Sequence, residues 1–396
     1  MTVKPRASKT SEQEKSNQWF HNNHPVKNRR MNSDSVLRIA RRFKIEQQIT
    51  KIETLPSGNI NNTYRVFTED QRGDVILQRI NREVFQRPDL IMENIQTVRH
   101  HLNRFPVSGF TTNDRRWEMP RIYQTNDGAN LVVDSQSFSW RALSYIRDSK
   151  SIDKITTPQQ AEEMGFALGT FHRSTHTLNI ATLHDTLSGF HLTSQYLSRF
   201  NTVLSRMPHQ PQSPEDRFCA TFIKKREKKV SILENALKKK KLLLRPTHGD
   251  PKISNVLFDK KTDSAISIID LDTLRPGLIH HDIGDCLRSC CNEAGEEETR
   301  PEKVRFNIEI CAIILKNYLS ITSELWRPAE LNYIYDSIHL MALELGIRFY
   351  TDFLEDNRYF KTEYDQQNLN RAIVQFRLTE EIEKREANIR AISSLM

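Results

Sequence analysis

Short apolar-rich segments between residues 49 and 80 alternate with turn-forming residues. Segments 49–55, 63–67 and 75–80 are rich in Ile, Val, Leu, Thr and Phe, and segments 56–59 and 71–74 between them contain Gly, Pro, Asn and Asp. Apolar runs of this length predict strands, and the intervening composition predicts tight turns. We therefore expect neighbouring antiparallel strands in this part of the chain.

A helical spacing of apolar residues begins next and later dominates the sequence. Pro88 can open a helix, and Ile91, Ile95, Val98 and Leu102 would lie on its buried face. Three more strand-like segments follow, at residues 120–123, 131–134 and 137–146. From residue 158 onward, most of the chain shows the helical pattern.

This order of elements predicts an α+β fold with two lobes. Residues 34–147 would form an antiparallel, β-rich N-lobe, and residues 148–396 a mostly helical C-lobe, with a hinge near residues 144–148. Residues 1–33 are rich in Ser, Asn, Gln, Lys and Arg and contain too few apolar residues to build a core. We expect them to form a disordered basic tail.

The clearest chemical signal lies between two strand-like runs, 242–244 and 265–269. It is the octapeptide His248-Gly249-Asp250-Pro251-Lys252-Ile253-Ser254-Asn255, followed by Asp270. A kinase catalytic loop places a base Asp five residues before a metal-binding Asn, and a second metal-binding Asp follows the next strand. Asp250, Asn255 and Asp270 have this spacing, and Lys252 is long enough to reach the transferring phosphate.

An alternative interpretation is a β-hairpin in which Asp and Asn residues merely stabilise a turn. Turn chemistry explains neither the five-residue spacing nor the second Asp, so we prefer the phosphoryl-transfer site. For His248 we favour a role in fixing the loop by hydrogen bonds over a role as an acid or base.

With Asp282 and Ile283 added, these residues resemble the aminoglycoside phosphotransferase and choline kinase superfamily, whose members phosphorylate small molecules on a protein-kinase-like fold. Further segments are similar to one branch, the N-acetylhexosamine 1-kinases. They are Gly58-Asn59-Ile60-Asn61-Asn62-Thr63-Tyr64, Ile76-Leu77-Gln78-Arg79-Ile80-Asn81, Ile269-Asp270-Leu271-Asp272-Thr273, Gly284-Asp285 with Arg288, and Arg348-Phe349-Tyr350-Thr351-Asp352. The resemblance covers residues 55–360, most of the chain.

The nucleotide half of the site departs from common ATP-binding motifs. The sequence contains neither G-x-x-x-x-G-K-[ST] nor G-x-G-x-x-G, so we assign phosphate contacts to the turn that carries Gly58, Asn59 and Asn61. The usual Lys on the third strand is missing. Choline kinases use an Arg on this strand, so the resemblance implies Arg79 as the phosphate ligand, with Glu93 as its acidic partner. The alternative for Glu93 is an ordinary surface position on its helix.

The resemblance also implies an acceptor pocket in the C-lobe. Arg348 and Tyr359 match positions that contact the sugar in the 1-kinases. Asp285 and Arg288 are further substrate candidates, although an ion pair that braces the loop is an equally good interpretation. Asp272 follows the metal Asp by two residues and would serve as a second metal ligand or as an acceptor for a sugar hydroxyl.

Composition limits the other classes of function. The formal net charge is +8, and residues 1–33 hold seven Lys or Arg and only two Glu, so the high pI is mainly a property of the tail. No basic motif interleaved with aromatic residues predicts nucleic-acid binding, and no apolar stretch approaches the ~20 residues of a membrane span. The five cysteines lack C-x-x-C spacing, which favours a reducing, cytoplasmic location.

The sequence as a whole predicts an ATP- and Mg²⁺-dependent kinase that phosphorylates the anomeric hydroxyl of an N-acetylhexosamine. An aminoglycoside, a choline-like amine or another sugar is the alternative acceptor. Outside the enzymes, the alternative is a pseudokinase that acts as a binding scaffold, although Asp250, Asn255 and Asp270 are all present.

Overall fold

The computed structural model describes residues 32–55, 60–70, 73–105, 115–206 and 213–394. Nearly all of the basic tail and the turn with Gly58 and Asn59 lie outside these residues, so those expectations remain predictions. Among the described helices, none combines the length and the apolar character that crossing a bilayer would need.

The N-terminal part is an antiparallel sheet, as the alternating segments predict. Its strands run in the spatial order β1-β2-β3-β6-β4, and β5 pairs with β6. Their bounds are β1 Ile49–Thr54, β2 Asn62–Thr68, β3 Val75–Ile80, β4 Ile122–Tyr123, β5 Val132–Val133 and β6 Ser139–Ser144. Each strand therefore presents alternate residues to opposite faces of the sheet.

Two helices cover the two faces of this sheet. Helix α1 (Ser33–Ala40) packs on the face that carries Leu77 and Trp140. Helix α2 (Pro88–Arg104) lies on the opposite face, where Ile91 and Ile95 join the core that contains Ile80. The cleft between the lobes lies on the face of the sheet that is covered by α2. Only every second residue of β3 therefore points towards the cleft.

The C-terminal part is mainly helical. Its helices are α3 Pro158–Thr175, α4 Thr193–Arg206, α5 Pro214–Arg226, α6 Ile232–Lys238, α7 Ile279–Cys290, α8 Ile308–Thr322, α9 Pro328–Leu331, α10 Ile334–Leu354, α11 Gln367–Glu383 and α12 Glu386–Ser394. Helix α10 is the centre of this lobe, packed against α4, α7 and α11. The predicted α+β fold with a β-rich N-lobe and a helical C-lobe is confirmed.

Short strands in the C-terminal part carry the loop singled out in the sequence. They are β7 Ser149–Lys150, β8 Arg245–Thr247, β9 Val256–Asp259, β10 Ala265–Ile268 and β11 Arg275–Gly277. The loop joins β8 to β9, β9 pairs with β10, and β8 pairs with β11. The strand expected at residues 242–244 is wrong: Leu243 and Leu244 are exposed, and the strand begins at Arg245.

Candidate active site

The loop after β8 requires a glycine at its second position. Gly249 has φ +87°, and a Cβ atom there would lie 2.7 Å from the carbonyl oxygen of Thr273. A residue with a side chain would combine an unfavourable backbone region with a clash against backbone. This turn brings Asp250 to the floor of the cleft between the lobes.

Asp282, on helix α7, holds the backbone of this loop. Its carboxylate accepts hydrogen bonds from the N–H groups of His248 (2.7 Å) and Gly249 (2.8 Å), and it contacts His172 Nε2 at 2.8 Å. Burial opposes its ionisation, but the contact with His172 and the backbone donors outweigh this and lower the pKa of Asp282. A charged, fully buried carboxylate thus fixes the position of the catalytic loop.

His248 also serves the loop rather than the cleft. Its Nε2 donates to the carbonyl of Ile269 (2.8 Å), so its Nδ1 accepts from the N–H of Asp250 (3.2 Å). This is the neutral tautomer, and burial lowers the pKa of His248. Its geometry matches the expected role in fixing the loop.

Asp250 lies between a cation and an amide. Its Oδ2 is 2.8 Å from Lys252 Nζ, and Asn255 Nδ2 donates to the carbonyl oxygen (2.8 Å) and to Oδ2 (3.2 Å) of Asp250. Burial would raise the pKa of Asp250, but the charge of Lys252 outweighs burial and holds it below the usual range. Asp250 is therefore a carboxylate at neutral pH.

Asp270 lies beside this pair, in a left-handed backbone conformation with φ 64°. The N–H of Ile269 donates to the carbonyl of Asn255 (2.8 Å), which ties the two segments together. Although Asp270 is accessible from the cleft, desolvation by the surrounding protein and the charge of Asp272 raise its pKa to about 6. The structure thus brings Asp250, Asn255 and Asp270 together, as the spacing predicts.

The residues at this point fit a divalent cation. Within the described residues, the Asp270 carboxylate forms no hydrogen bond, and Asn255 uses its side-chain nitrogen in the contacts with Asp250, which leaves its oxygen available. Mg²⁺ in nucleotide sites commonly takes one or two protein oxygens plus phosphate oxygens and water.

Asp272, in contrast, is committed to a buried network. It forms an ion pair with Arg141 on β6, and its Oδ2 accepts from Asn61 Nδ2 (2.7 Å). Arg141 is 1% exposed and donates twice to Gln78 Oε1, at 2.9 and 2.8 Å. Asp272 also lines the cleft, so its assignment to metal or substrate stays a prediction, although its carboxylate already links the two lobes.

Asn61 makes a second connection between the lobes. Its Nδ2 donates to Asp272, and its Oδ1 accepts from the N–H of Asn81 (3.0 Å). The side chain therefore links the N-lobe turn to the segment after Asp270. Asn61 also lines the cleft, and its assignment to phosphate stays a prediction.

The prediction of an ion pair between Arg79 and Glu93 is wrong. The guanidinium of Arg79 lies 4.3 Å from the ring centroid of Phe138, on the face of the sheet that carries Leu77. Glu93 lies on α2, beyond the opposite face, and its carboxylate is 2.9 Å from His184 Nε2. Because residues alternate along β3, the cleft-facing residue is Gln78.

Another α2 residue connects this helix to the site. Asn94 is fully buried, donates to the carbonyls of His184 (2.9 Å) and Leu274 (2.8 Å), and accepts from the N–H of His184 (2.8 Å). Neutral hydrogen bonds thus join α2 to the segment after Asp270, where the sequence led us to expect an ion pair.

On the acceptor side of the cleft, Asp285 and Arg288 form an ion pair, which was the alternative interpretation of these residues in the sequence. Arg288 Nε is 2.8 Å from Asp285 Oδ1, and Arg288 Nη1 is 3.3 Å from Glu296 Oε2. Both residues line the cleft. Asp285 Oδ2 is buried and has no hydrogen-bond partner among the described residues, so one of its oxygens remains available.

His191 is a cleft residue that sequence reasoning missed. Its Nδ1 is 3.0 Å from Glu344 Oε1, and its Nε2 is 2.8 Å from the carbonyl of Gly249. Both ring nitrogens face acceptors, so the ring is an imidazolium. Burial opposes the charge, but Glu344 outweighs it and raises the pKa of His191. Nothing in the local sequence marked His191, because its partners lie 58 and 153 residues away.

Arg348 and Tyr359 both line the cleft, as the resemblance implies. Asp352 lies one helical turn after Arg348 and holds the Tyr359 loop. It accepts from the N–H groups of Tyr359 (2.7 Å) and Phe360 (2.9 Å) and from Asn368 Nδ2 (2.9 Å). The cleft that contains these residues and Asp250 has a volume of about 800 Å³.

Comparison with known proteins agrees with this geometry. A model of a family described as "Phosphotransferase enzyme family" matches residues 51–306, and the chain belongs to that family. The match spans the N-terminal sheet, the catalytic loop, Asp270, Asp282 and Asp285.

Solved structures share the fold at low sequence identity. An aminoglycoside phosphotransferase from Alicyclobacillus acidocaldarius has a TM-score of 0.61 at 14% identity, with 93% of this chain and 98% of that chain covered. A choline kinase from Cryptosporidium parvum gives 0.56 at 14% identity, with 92% and 98% covered. A spectinomycin phosphotransferase, solved with ADP and its antibiotic, gives 0.53 at 13% identity, with 92% and 98% covered. The fold is therefore protein-kinase-like.

Proposed function

We propose that this protein transfers the γ-phosphoryl group of ATP to the anomeric hydroxyl of an N-acetylhexosamine. The observation that carries the kinase part is the convergence of Asp250, Asn255 and Asp270, of which Asp250 and Asp270 line one cleft. The presence of ADP in the related spectinomycin phosphotransferase supports ATP as the donor.

In this mechanism Asp250 orients the acceptor hydroxyl and takes its proton. The hydroxyl oxygen bonds the γ-phosphorus while the bond to the β–γ bridging oxygen breaks, which releases ADP. An anomeric hydroxyl is more acidic than an ordinary alcohol, so a carboxylate suffices as the base. Lys252, fixed 2.8 Å from Asp250, balances negative charge on the transferring group.

Asn255 and Asp270 would hold Mg²⁺, which neutralises phosphate charge when it is bound. The protein contributes the arrangement of these ligands. Asp282 and His248 fix the loop that bears Asn255, and the hydrogen bond between Ile269 and Asn255 fixes the distance to Asp270.

The sugar assignment rests on the acceptor side. Arg348 offers guanidinium donors to the cleft, and within the described residues it forms no ion pair or hydrogen bond that would occupy them. We assign to Arg348 a contact with the acetamide or hydroxyl oxygens of the sugar, and to Tyr359 a contact with its ring. Asp285 Oδ2 is a further acceptor for a sugar hydroxyl.

A second candidate acceptor is an amino alcohol or an aminoglycoside. It is favoured by the similarity in fold to an aminopropanol kinase and to a choline kinase. The two candidates differ in charge, and this difference is easy to test.

The deciding experiment is an ATP-dependent phosphorylation assay with N-acetylglucosamine, N-acetylgalactosamine, choline, aminopropanol and an aminoglycoside. We expect a sugar 1-phosphate from an N-acetylhexosamine and no product from its methyl glycoside, which has no free anomeric hydroxyl. The Asp250→Asn variant is the matched control for contaminating kinases. Equal phosphorylation of the methyl glycoside would refute the 1-kinase proposal, and failure of all acceptors with ATP binding retained would favour a scaffold.

A further inference from the structure

Arg348 lies within an aromatic enclosure formed by four rings. Its guanidinium carbon is 5.5 Å from the ring centroid of Phe190, 5.2 Å from Tyr196, 5.9 Å from Tyr359 and 5.4 Å from Phe360. A cation within about 6 Å of an aromatic centroid is attracted by the negative face of the ring, and several rings together form a site for quaternary ammonium groups. This enclosure already contains a cation that belongs to the chain.

The acidic groups nearby do not hold Arg348 by hydrogen bonds. Glu344 lies one turn earlier on α10, but its oxygens are engaged by His191 (3.0 Å) and Thr193 (2.8 Å). Asp285 pairs with Arg288, and its second oxygen is buried without a hydrogen-bond partner in the part of the chain that the structure describes. Without the Arg348 side chain, the pocket would keep its rings and its carboxylates and would lose the cation between them.

We propose that Arg348 fills the place of a cationic acceptor and thereby restricts the pocket to uncharged or anionic acceptors. The inference rests on the proposed function only in taking this part of the cleft as the acceptor pocket. A choline-like or amine-bearing molecule would meet both an occupied enclosure and a like charge, which disfavours its binding. A neutral polyol meets guanidinium donors and ring faces instead.

The test is calorimetric titration of the full chain with tetramethylammonium and with choline. We expect no saturable binding to the wild type up to the highest ligand concentration titrated, and saturable binding to Arg348→Ala with a Kd at least about tenfold below that concentration, from the opened enclosure. Arg348→Lys keeps the cation and should show no gain. Arg377→Ala removes a guanidinium that lies 4.5 Å from the Phe218 ring, outside the cleft, and should also show no gain.

Two further variants make the result decisive. Tyr359→Leu combined with Arg348→Ala removes one of the four rings and should weaken the tetramethylammonium binding gained by Arg348→Ala. If Arg348→Ala does not fold, Arg348→Gln replaces it, because Gln keeps more side-chain volume while removing the charge. Equal binding of tetramethylammonium by the wild type and by the folded Arg348→Ala or Arg348→Gln variant would overturn the proposal. Because binding is measured without turnover, failure of sugar phosphorylation would refute the proposed function and leave this test intact.

Discussion

Replacing Arg141 by Met should destabilise the protein strongly, although Arg141 lies outside the reacting centre. The substitution removes the ion-pair partner of Asp272, which is 2% exposed, and two hydrogen bonds to Gln78. Asn61 remains as a hydrogen-bond partner of the Asp272 carboxylate. Removal of one member of a buried ion pair typically costs about 3–5 kcal/mol, because the other charge is left unpaired.

The double variant Arg141→Met/Asp272→Asn separates this effect from lost packing. Asn is neutral and can still accept from Asn61, so we expect the double variant to be more stable than Arg141→Met alone. The free energy of unfolding, measured by urea denaturation, should show a coupling of about 1–3 kcal/mol between the two sites. Additive effects, or a loss below about 1 kcal/mol for Arg141→Met, would refute the buried ion pair.

Four other outcomes are expected. Asp250→Asn should lower kcat about a hundredfold or more and leave ATP affinity nearly unchanged, as steady-state kinetics and ATP titration will show. Asp270→Ala should weaken Mg·ATP binding as well as kcat, and an unchanged Mg²⁺ dependence would argue against the metal assignment. Gly249→Ala should cost about 1–3 kcal/mol of stability, and a wild-type melting temperature would contradict the inferred strain and clash. The stability difference between wild type and His191→Gln should be largest below about pH 6.5 and shrink as the pH rises through the raised pKa of His191, and a pH-independent difference would speak against a buried imidazolium.

The convergence of Asp250, Asn255 and Asp270 could be predicted from the sequence because these residues are close along the chain. Asp250, Lys252 and Asn255 lie within six residues, and the short hairpin that follows returns the chain to Asp270. For these residues, the spacing in the sequence was therefore enough to predict that their side chains lie close together in the structure. The same locality explains why the alternation of strands and helices sufficed for the fold class.

The prediction of Arg79 as the phosphate ligand with Glu93 as its partner failed because side chains alternate between the two faces of a strand. Arg79 and Gln78 are adjacent in sequence but lie on opposite faces of β3, and a shift of one residue exchanges the face that meets the cleft. Arg141 reaches Gln78 only through the pairing of β3 with β6. No pattern in the sequence indicated that register, so a basic residue on the right strand was assigned to the wrong face.

The pairing of Asp272 with Arg141 has a mechanical consequence. It joins a strand of the N-lobe to the segment just after Asp270, at a buried point between the lobes. Separation of the lobes at this point would break the buried ion pair between Arg141 and Asp272. Opening of the cleft should therefore be a rotation about this point, with the mouth of the cleft moving most and Asp270 least. If the proposed kinase function holds, ADP could leave by this rotation while the segment assigned to the metal keeps its position.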